Sequence, residues 1–193
     1  ITLLAAIAAV TERIGLIATA STTYSLPFTL ARQFSSVDHI SNGRAGWNIV
    51  TTWLQDAARN YGDTRDVSLD DRYVLADEFV EIIKGLWDSW ADDAVVDDRA
   101  AGIYARPDRI HAINHDGPNY SVAGPLNLPR SPQGRPVLVQ AGSSDAGRDF
   151  AARHAEAIFT AHLEKATAQE FYADIKARLV KAGRKPDQVL VLP

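Results

Sequence analysis

The feature that most constrains the fold is a regular alternation of helix-like and strand-like patterns along the chain. Apolar residues at helical spacing alternate with short apolar runs rich in β-branched residues. This alternation predicts parallel strands that are joined by helical crossovers. The strands are expected at 14–20, 47–51, 137–140, 157–160 and 189–192.

The helices are expected at 1–12, from a cap at Ser25 to a stop at Asn42–Gly43, and at 70–87, 145–154 and 166–182. The segment 91–135 breaks this rhythm, because it is rich in Asp, Gly and Pro. We expect it to be one long insertion with a hairpin, and a loop of this length is usually functional. Without a repeat or a linker, residues 1–193 are expected to form one partial domain.

Five parallel strands suit either an open doubly wound sheet or part of a (β/α)8 barrel. Glycine-rich dinucleotide and P-loop fingerprints are missing, which weakens the open-sheet interpretation. A complete barrel needs about 250 residues, so the 193 residues predict an interior slice of a TIM-like barrel. The chain begins without Met inside a helical pattern and stops after a strand-like run. We therefore expect a piece of a longer protein, with a processed mature chain as the alternative.

Composition excludes several classes of function. The 20 basic and 24 acidic residues give a net charge of −4, which argues against nucleic acid as the main partner. The absence of cysteine excludes disulfides and thiolate chemistry within these residues. The sequence shows neither a bilayer-length apolar run nor a signal peptide, so we expect no membrane partner.

Small polar residues follow four of the expected strands. Function in parallel α/β folds collects at the carboxyl ends of strands, and converging hydroxyls there suit a polar ligand that contains a ring. The alternative is that Ser and Thr serve only as helix caps. The residues concerned are Thr19, Ser21, Thr22, Thr51, Thr52, Gln140, Ser143, Ser144, Thr160 and His162.

The turn Gly142–Asp145 lies between a strand and a helix, where backbone N–H groups form a ready anion site that suits phosphate. Ser144 could instead be a plain N-cap, and Asp145 would repel an anion if it pointed inward. Tyr73, at the start of a long helix near the same mouth, could donate to a phosphate or simply pack in the core.

The histidines indicate no metal site. His111 and His115 are four residues apart, but they lie in the insertion, where this spacing does not create a compact face. Only His162 is placed for a site at a strand end. The sequence also shows no catalytic set of Ser, His and Asp and no carboxylate pair, so the catalytic residue stays unassigned.

The stretch Asn42–Thr52 closely resembles the signature of the nitrilotriacetate monooxygenase family. These proteins are two-component flavin-dependent monooxygenases of the bacterial luciferase-like superfamily. Further matching segments cover essentially the whole chain in order, which makes the resemblance specific. They are 17–22, 72–73, 76–79, 124–127, 131–137, 140–144, 147–148, 151–154 and 171–176.

The resemblance implies a TIM-like barrel of the bacterial luciferase-like type that binds FMN at its carboxyl-end mouth. The flavin contacts would fall on Thr19 and Thr52, with Tyr73, Ser143 and Ser144 at the phosphate. One departure is Leu69, where relatives often have His. A polar contact would be lost there or supplied by the neighbouring Asp70.

The implied activity is hydroxylation or oxidative cleavage of a small organic or xenobiotic substrate with O2, through a flavin C4a-hydroperoxide. A separate NAD(P)H:FMN reductase would supply reduced FMN to a cytoplasmic homodimer or homotetramer. The insertion would belong to a lid or to a subunit contact. The alternatives are a luciferase-like flavin or deazaflavin oxidoreductase that transfers hydride, and a flavin-binding paralogue without turnover. The substrate itself cannot be read from the sequence.

Overall fold

The computed structural model describes residues 1–52, 55–61 and 68–193, and the side chains of 55–57 and 69–70 are also left out of the description. The elements alternate as the sequence predicts, apart from the insertion. In chain order they are α1 (Thr2–Val10), β1 (Leu16–Ser21), α2 (Pro27–Ser41), β2 (Ala45–Val50), α3 (Gln55–Asn60), α4 (Leu69–Trp87), β3 (Val95–Asp98), β4 (Ile103–Ala105), β5 (His115–Asp116), β6 (Ser121–Val122), β7 (Val137–Gln140), α5 (Asp145–His154), β8 (Ala157–Phe159), α6 (Lys165–Lys181) and β9 (Leu190–Leu192).

The central sheet has five strands in the order β1-β2-β7-β8-β9, and every neighbouring pair is parallel. Each strand of this sheet therefore pairs with the next one along the chain, as in a barrel. In a doubly wound sheet the order of the strands would instead reverse partway across the sheet. All five strands expected from the sequence are confirmed. Their carboxyl ends meet at one edge, which we call the mouth.

The two faces of the sheet differ in what covers them. One face carries Trp47, Ile49 and Leu138, which are buried in a core with residues of α2 and α4. The opposite face carries Thr19 and Asn48, which are in register on β1 and β2. Side chains alternate between faces along a strand, so a single strand supplies both the core and the polar face.

The turn into β2 is built by three residues with separate tasks. Asn42 (φ 52°) and Gly43 (φ 83°) adopt left-handed conformations that end α2, as expected from the sequence. Arg44 then binds the end of α1: its guanidinium donates to the carbonyls of Ala8 and Thr11 at 3.1 and 2.7 Å. These bonds satisfy carbonyls that the last helical turn leaves without partners.

The helix cap expected at Ser25 is wrong. Leu26, not Ser25, is the N-cap of α2, and its apolar side chain offers no acceptor to the first turn, which Pro27 begins. Ser68 caps α4 by accepting from the Asp71 N–H at 3.1 Å, and α4 then begins at Leu69. The region expected to be an irregular loop also contains the short helix α3, whose six residues carry no clear apolar periodicity.

The insertion holds two separate hairpins, β3–β4 and β5–β6. The second is fixed to the middle of α4 by Glu78, which accepts from His115 Nε2 at 2.9 Å and from Asn119 Nδ2 at 2.6 Å. Further along, Gln133 Nε2 donates to the Ala45 carbonyl at the start of β2. These contacts place the insertion along α4 and at the end of β2 opposite the mouth. Nothing in these contacts tests the lid or the subunit contact, and both stay predictions.

None of the helices in the described ranges is long and apolar enough to cross a membrane.

Candidate functional site

Thr19 and Asn48 form a polar pair on the face of the sheet that the helices leave uncovered. Asn48 Nδ2 donates to Thr19 Oγ1 at 3.0 Å. Asn48 Oδ1 is buried and has no hydrogen-bond partner among the described residues. A buried acceptor without a donor is costly, so this oxygen is suited to a ligand N–H. Asn48 is not among the site residues that the sequence predicts. The one feature that could have indicated it is an amide side chain among the apolar residues of a strand.

Thr52 follows β2 at the mouth in a left-handed conformation, with φ of 52°. This conformation is strained for a β-branched residue, and such strain concentrates at functional sites. Two contacts hold it in place. Thr52 Oγ1 donates to Ser21 Oγ at 2.6 Å, and Arg72 Nη1 donates to the Thr52 carbonyl. The structure therefore brings Thr52 next to the end of β1, as the sequence predicts.

Ser144 is the N-cap of α5, and its Oγ accepts from the Gly147 N–H at 3.1 Å. The N–H groups of Asp145 and Ala146 lie in the first turn, where a helix supplies no acceptor. The carboxylate of Asp145 does not occupy this position, because Arg178 Nη2 donates to it at 2.7 Å. The repulsion expected from an inward-pointing Asp145 is thus removed, and the helix end can attract an anion.

Tyr73 is buried, with 8% of its surface exposed, and its ring packs on Phe150 with 5.5 Å between centroids. Its hydroxyl lies against the backbone of Gly142 and Gly147: a Cβ added at those residues would lie 2.9 and 2.7 Å from it. Glycine at both positions makes this approach possible. Within the part of the chain that the structure describes, no hydrogen bond engages the Tyr73 hydroxyl.

Gly147 links the two phosphate candidates directly. A Cβ at Gly147 would meet Ser144 Oγ at 3.1 Å as well as the Tyr73 hydroxyl, so both hydroxyls flank the same glycine. Ser143 is exposed beside them, and Gln140 Oε1 accepts from the Gly142 N–H at 2.5 Å. The structure thus brings Tyr73, Ser143 and Ser144 together around the start of α5.

Other candidates are placed less directly. His162 is exposed at the mouth, 5.1 Å from the Phe171 ring, beside an open cavity of about 650 Å³. His115 Nε2 lies 2.9 Å from Glu78 Oε1, and no group of three or more potential metal-ligating side chains occurs among residues 1–52, 55–61 and 68–193. The side chains of Leu69 and Asp70 lie outside the described residues. Whether Asp70 supplies the polar contact that relatives often obtain from His therefore stays a prediction.

The donor set fits a ligand with an anionic end and a polar ring. The first turn of α5, capped by Ser144 and flanked by the Tyr73 hydroxyl, suits a phosphate. The Thr19–Asn48 pair offers a hydroxyl and an unused acceptor for ring N–H and C=O groups. Because β1, β2 and β7 are adjacent, both sets lie on one side of the mouth, which is compatible with FMN.

Comparisons with known proteins identify the family of this chain. The sequence profile of the luciferase-like monooxygenase family matches residues 1–193. The chain is 52% identical to nitrilotriacetate monooxygenase component A of Aminobacter aminovorans and 51% identical to N-acetyl-S-(2-succino)cysteine monooxygenase of Bacillus subtilis (strain 168). Both matches cover 100% of this chain but only 42% and 44% of those proteins. The chain thus spans less than half the length of these relatives.

A solved structure has the same fold over nearly the whole chain. A riboflavin lyase, solved with modified FMN and its substrate riboflavin, superposes with a TM-score of 0.95 at 41% identity. That match covers 99% of this chain and 43% of the other. The TIM-like barrel of the luciferase type and the resemblance to nitrilotriacetate monooxygenase, both expected from the sequence, are confirmed. With these matches across its whole length, the chain belongs to the luciferase-like monooxygenase family.

Proposed function

We propose that the protein is a monooxygenase that depends on reduced FMN and uses O2 to hydroxylate or oxidatively cleave a small organic compound. The observation that carries this proposal is the hydroxyl of the buried residue Tyr73, which has no protein hydrogen bond in the described chain and lies with Ser144 around Gly147. A phosphate at the start of α5 gives this hydroxyl an acceptor and gives the first-turn N–H groups an anion.

Each candidate residue then has a defined task. Tyr73, Ser143 and Ser144 hold the phosphate of FMN. Thr19 and Thr52 contact the flavin ring, and Asn48 Oδ1 accepts from one of its N–H groups. The complete site must also keep out bulk water, which would otherwise discharge the activated oxygen. Bound reduced FMN would supply the O2 activation that the sequence resemblance ascribes to a C4a-hydroperoxide.

The partners follow from the relatives. One relative is named as component A of its monooxygenase, which supports a separate NAD(P)H:FMN reductase as the source of reduced FMN here. The proposal also includes a cytoplasmic homodimer or homotetramer, as the family resemblance implies. The named substrates of the two relatives, nitrilotriacetate and N-acetyl-S-(2-succino)cysteine, are polycarboxylates. They are therefore the first compounds to test.

The direct test uses the full-length protein with an FMN reductase, NADH and each candidate substrate under 18O2. The proposal expects substrate-dependent consumption of O2 and one 18O atom in the product by mass spectrometry. Substrate turnover without O2 would favour hydride transfer. Binding of FMN without product from any substrate tried would favour a non-catalytic flavin-binding protein.

The site assignment has its own test, the double variant Tyr73→Phe and Ser144→Ala. Because bonds to a charged group contribute about 1.5–3 kcal/mol each, affinity for reduced FMN should fall by at least about tenfold in an anaerobic titration. A matched control removes the same atoms from Tyr104 and Ser36, which lie on β4 and α2, and should bind normally. Unchanged affinity in the Tyr73 and Ser144 variant would exclude these residues as phosphate ligands.

A further inference from the structure

Arg148 lies one turn into α5, directly behind the turn that carries Ser143 and Ser144. Its Nε donates to the Ser143 carbonyl at 2.8 Å, and its Nη1 donates to Asp174 at 2.9 Å. The guanidinium also lies over the Phe171 ring, 5.2 Å from the centroid. Three contacts from two elements therefore fix the direction of this side chain.

The bond to the Ser143 carbonyl determines the direction of the following N–H group. A peptide unit is planar and trans, so its C=O and N–H point in opposite directions. Because the Ser143 carbonyl points at Arg148, the Ser144 N–H must point away from it. We propose that Arg148 is a positioning residue, which aims the backbone N–H of Ser144 at the phosphate of FMN. This inference rests on the proposed function.

The anchor of Arg148 is itself stable near neutral pH. Burial alone would raise the pKa of Asp174, but hydrogen bonds from Arg148 and Arg178 lower it below its ordinary value. Asp174 therefore stays a carboxylate and keeps Arg148 in place. It also offsets much of the Arg148 charge, so the arginine acts through the geometry of the turn more than as a free cation.

The test compares reduced FMN with reduced riboflavin, which lacks the phosphate, in anaerobic titrations of the full-length protein. Arg148→Gln should weaken FMN binding by about tenfold (~1.4 kcal/mol) and leave riboflavin binding within about twofold. Arg148→Lys keeps the charge but cannot bind both Ser143 and Asp174 through one planar fork, so it should not restore FMN affinity. Arg153→Gln is the matched control, because Arg153 lies on the same helix, pairs with Asp77 and does not contact the turn.

Each result has a distinct meaning. Loss of FMN affinity in Arg148→Gln and Arg148→Lys, with riboflavin affinity and the Arg153 variant unchanged, supports the positioning role. Restoration by lysine would show a direct charge effect and overturn it, as would equal loss of both flavins or no loss at all. If the wild-type protein does not prefer reduced FMN over reduced riboflavin, the phosphate site in the proposed function fails as well.

Discussion

The contact between the Tyr73 hydroxyl and Gly147 makes a sharp prediction about Gly147→Ala. The added Cβ would lie 2.7 Å from the Tyr73 hydroxyl, inside the 3.0 Å limit that real Cβ atoms respect. The tyrosine cannot simply move away, since its ring is buried against Phe150 and its hydroxyl also touches Gly142. One partner must therefore shift.

Two opposing effects determine the size of the change. Alanine in a helix is about 0.5–1 kcal/mol more favourable than glycine, whereas overpacking a tight site costs about 1–3 kcal/mol. We therefore expect Gly147→Ala to lower the free energy of unfolding by about 0.5–2 kcal/mol. It should also weaken binding of reduced FMN, because the displaced hydroxyl is the proposed phosphate contact.

A double-mutant cycle with Tyr73→Phe separates these effects. Removing the hydroxyl relieves the closest contact, while the contacts with Ser144 Oγ at 3.1 Å and Gly142 Cα at 3.2 Å remain and offset the helix preference of alanine. Gly147→Ala should therefore be nearly neutral in the Tyr73→Phe background, with a coupling energy of about 1–2 kcal/mol. The assay is urea unfolding of the full-length variants, followed by tryptophan fluorescence. Gly15→Ala is the control, because a Cβ there meets nothing within 4 Å. Additive effects within about 0.5 kcal/mol would refute the reasoning.

Two further predictions concern stability alone. Arg44→Met removes hydrogen bonds to the carbonyls of Ala8, Thr11 and Ile14 and should cost about 2–3 kcal/mol in urea unfolding; a change below about 0.5 kcal/mol would contradict its role. Glu78 has a lowered pKa, since hydrogen bonds from His115 and others outweigh burial, which would raise it. A lowered folded-state pKa contributes stability above the ordinary carboxyl pKa and loses it as pH falls. Wild type should therefore lose more unfolding free energy than Glu78→Gln between about pH 7 and pH 4, and parallel pH profiles would contradict this.

The main elements of the fold could be predicted from sequence because their signals are local. The apolar runs at β1 and β7 and the helical periodicity of α4 and α5 placed these elements within a few residues. The limits of local rules show at α3, where six residues carry no periodicity. They also show at Ser68, because a flanking serine and the two aspartates after it are equally good caps by residue type.

In the candidate site, too, the features that depend on local sequence could be predicted, and those that depend on distant contacts could not. The hydroxyls of Thr52 and Ser144 were predictable, because strand order puts every strand end at one edge. The packing of Tyr73 on Gly147 was not predictable, since it joins residues that are far apart in the sequence and whose approach depends on how α4 and α5 pack. Asn48 was missed for a similar reason: its unused acceptor exists only because Thr19 occupies its amide nitrogen.

The residues of the stretch Asn42–Thr52 have tasks that depend on where their side chains point from β2. Arg44 lies at the amino end of β2, where its guanidinium binds the end of α1. Trp47 is fully buried against the helices, and its Nε1 donates to the Ala20 carbonyl at 3.0 Å. Asn48 is the next residue and must therefore face the opposite side, where its free acceptor is available to a ligand. Thr52 then lies at the mouth. Substitutions at Trp47 should thus lower the free energy of unfolding through lost packing, whereas substitutions at Asn48 should change the polar face that is available to a ligand. A single strand of six residues separates the stability of the domain from the chemistry of its site.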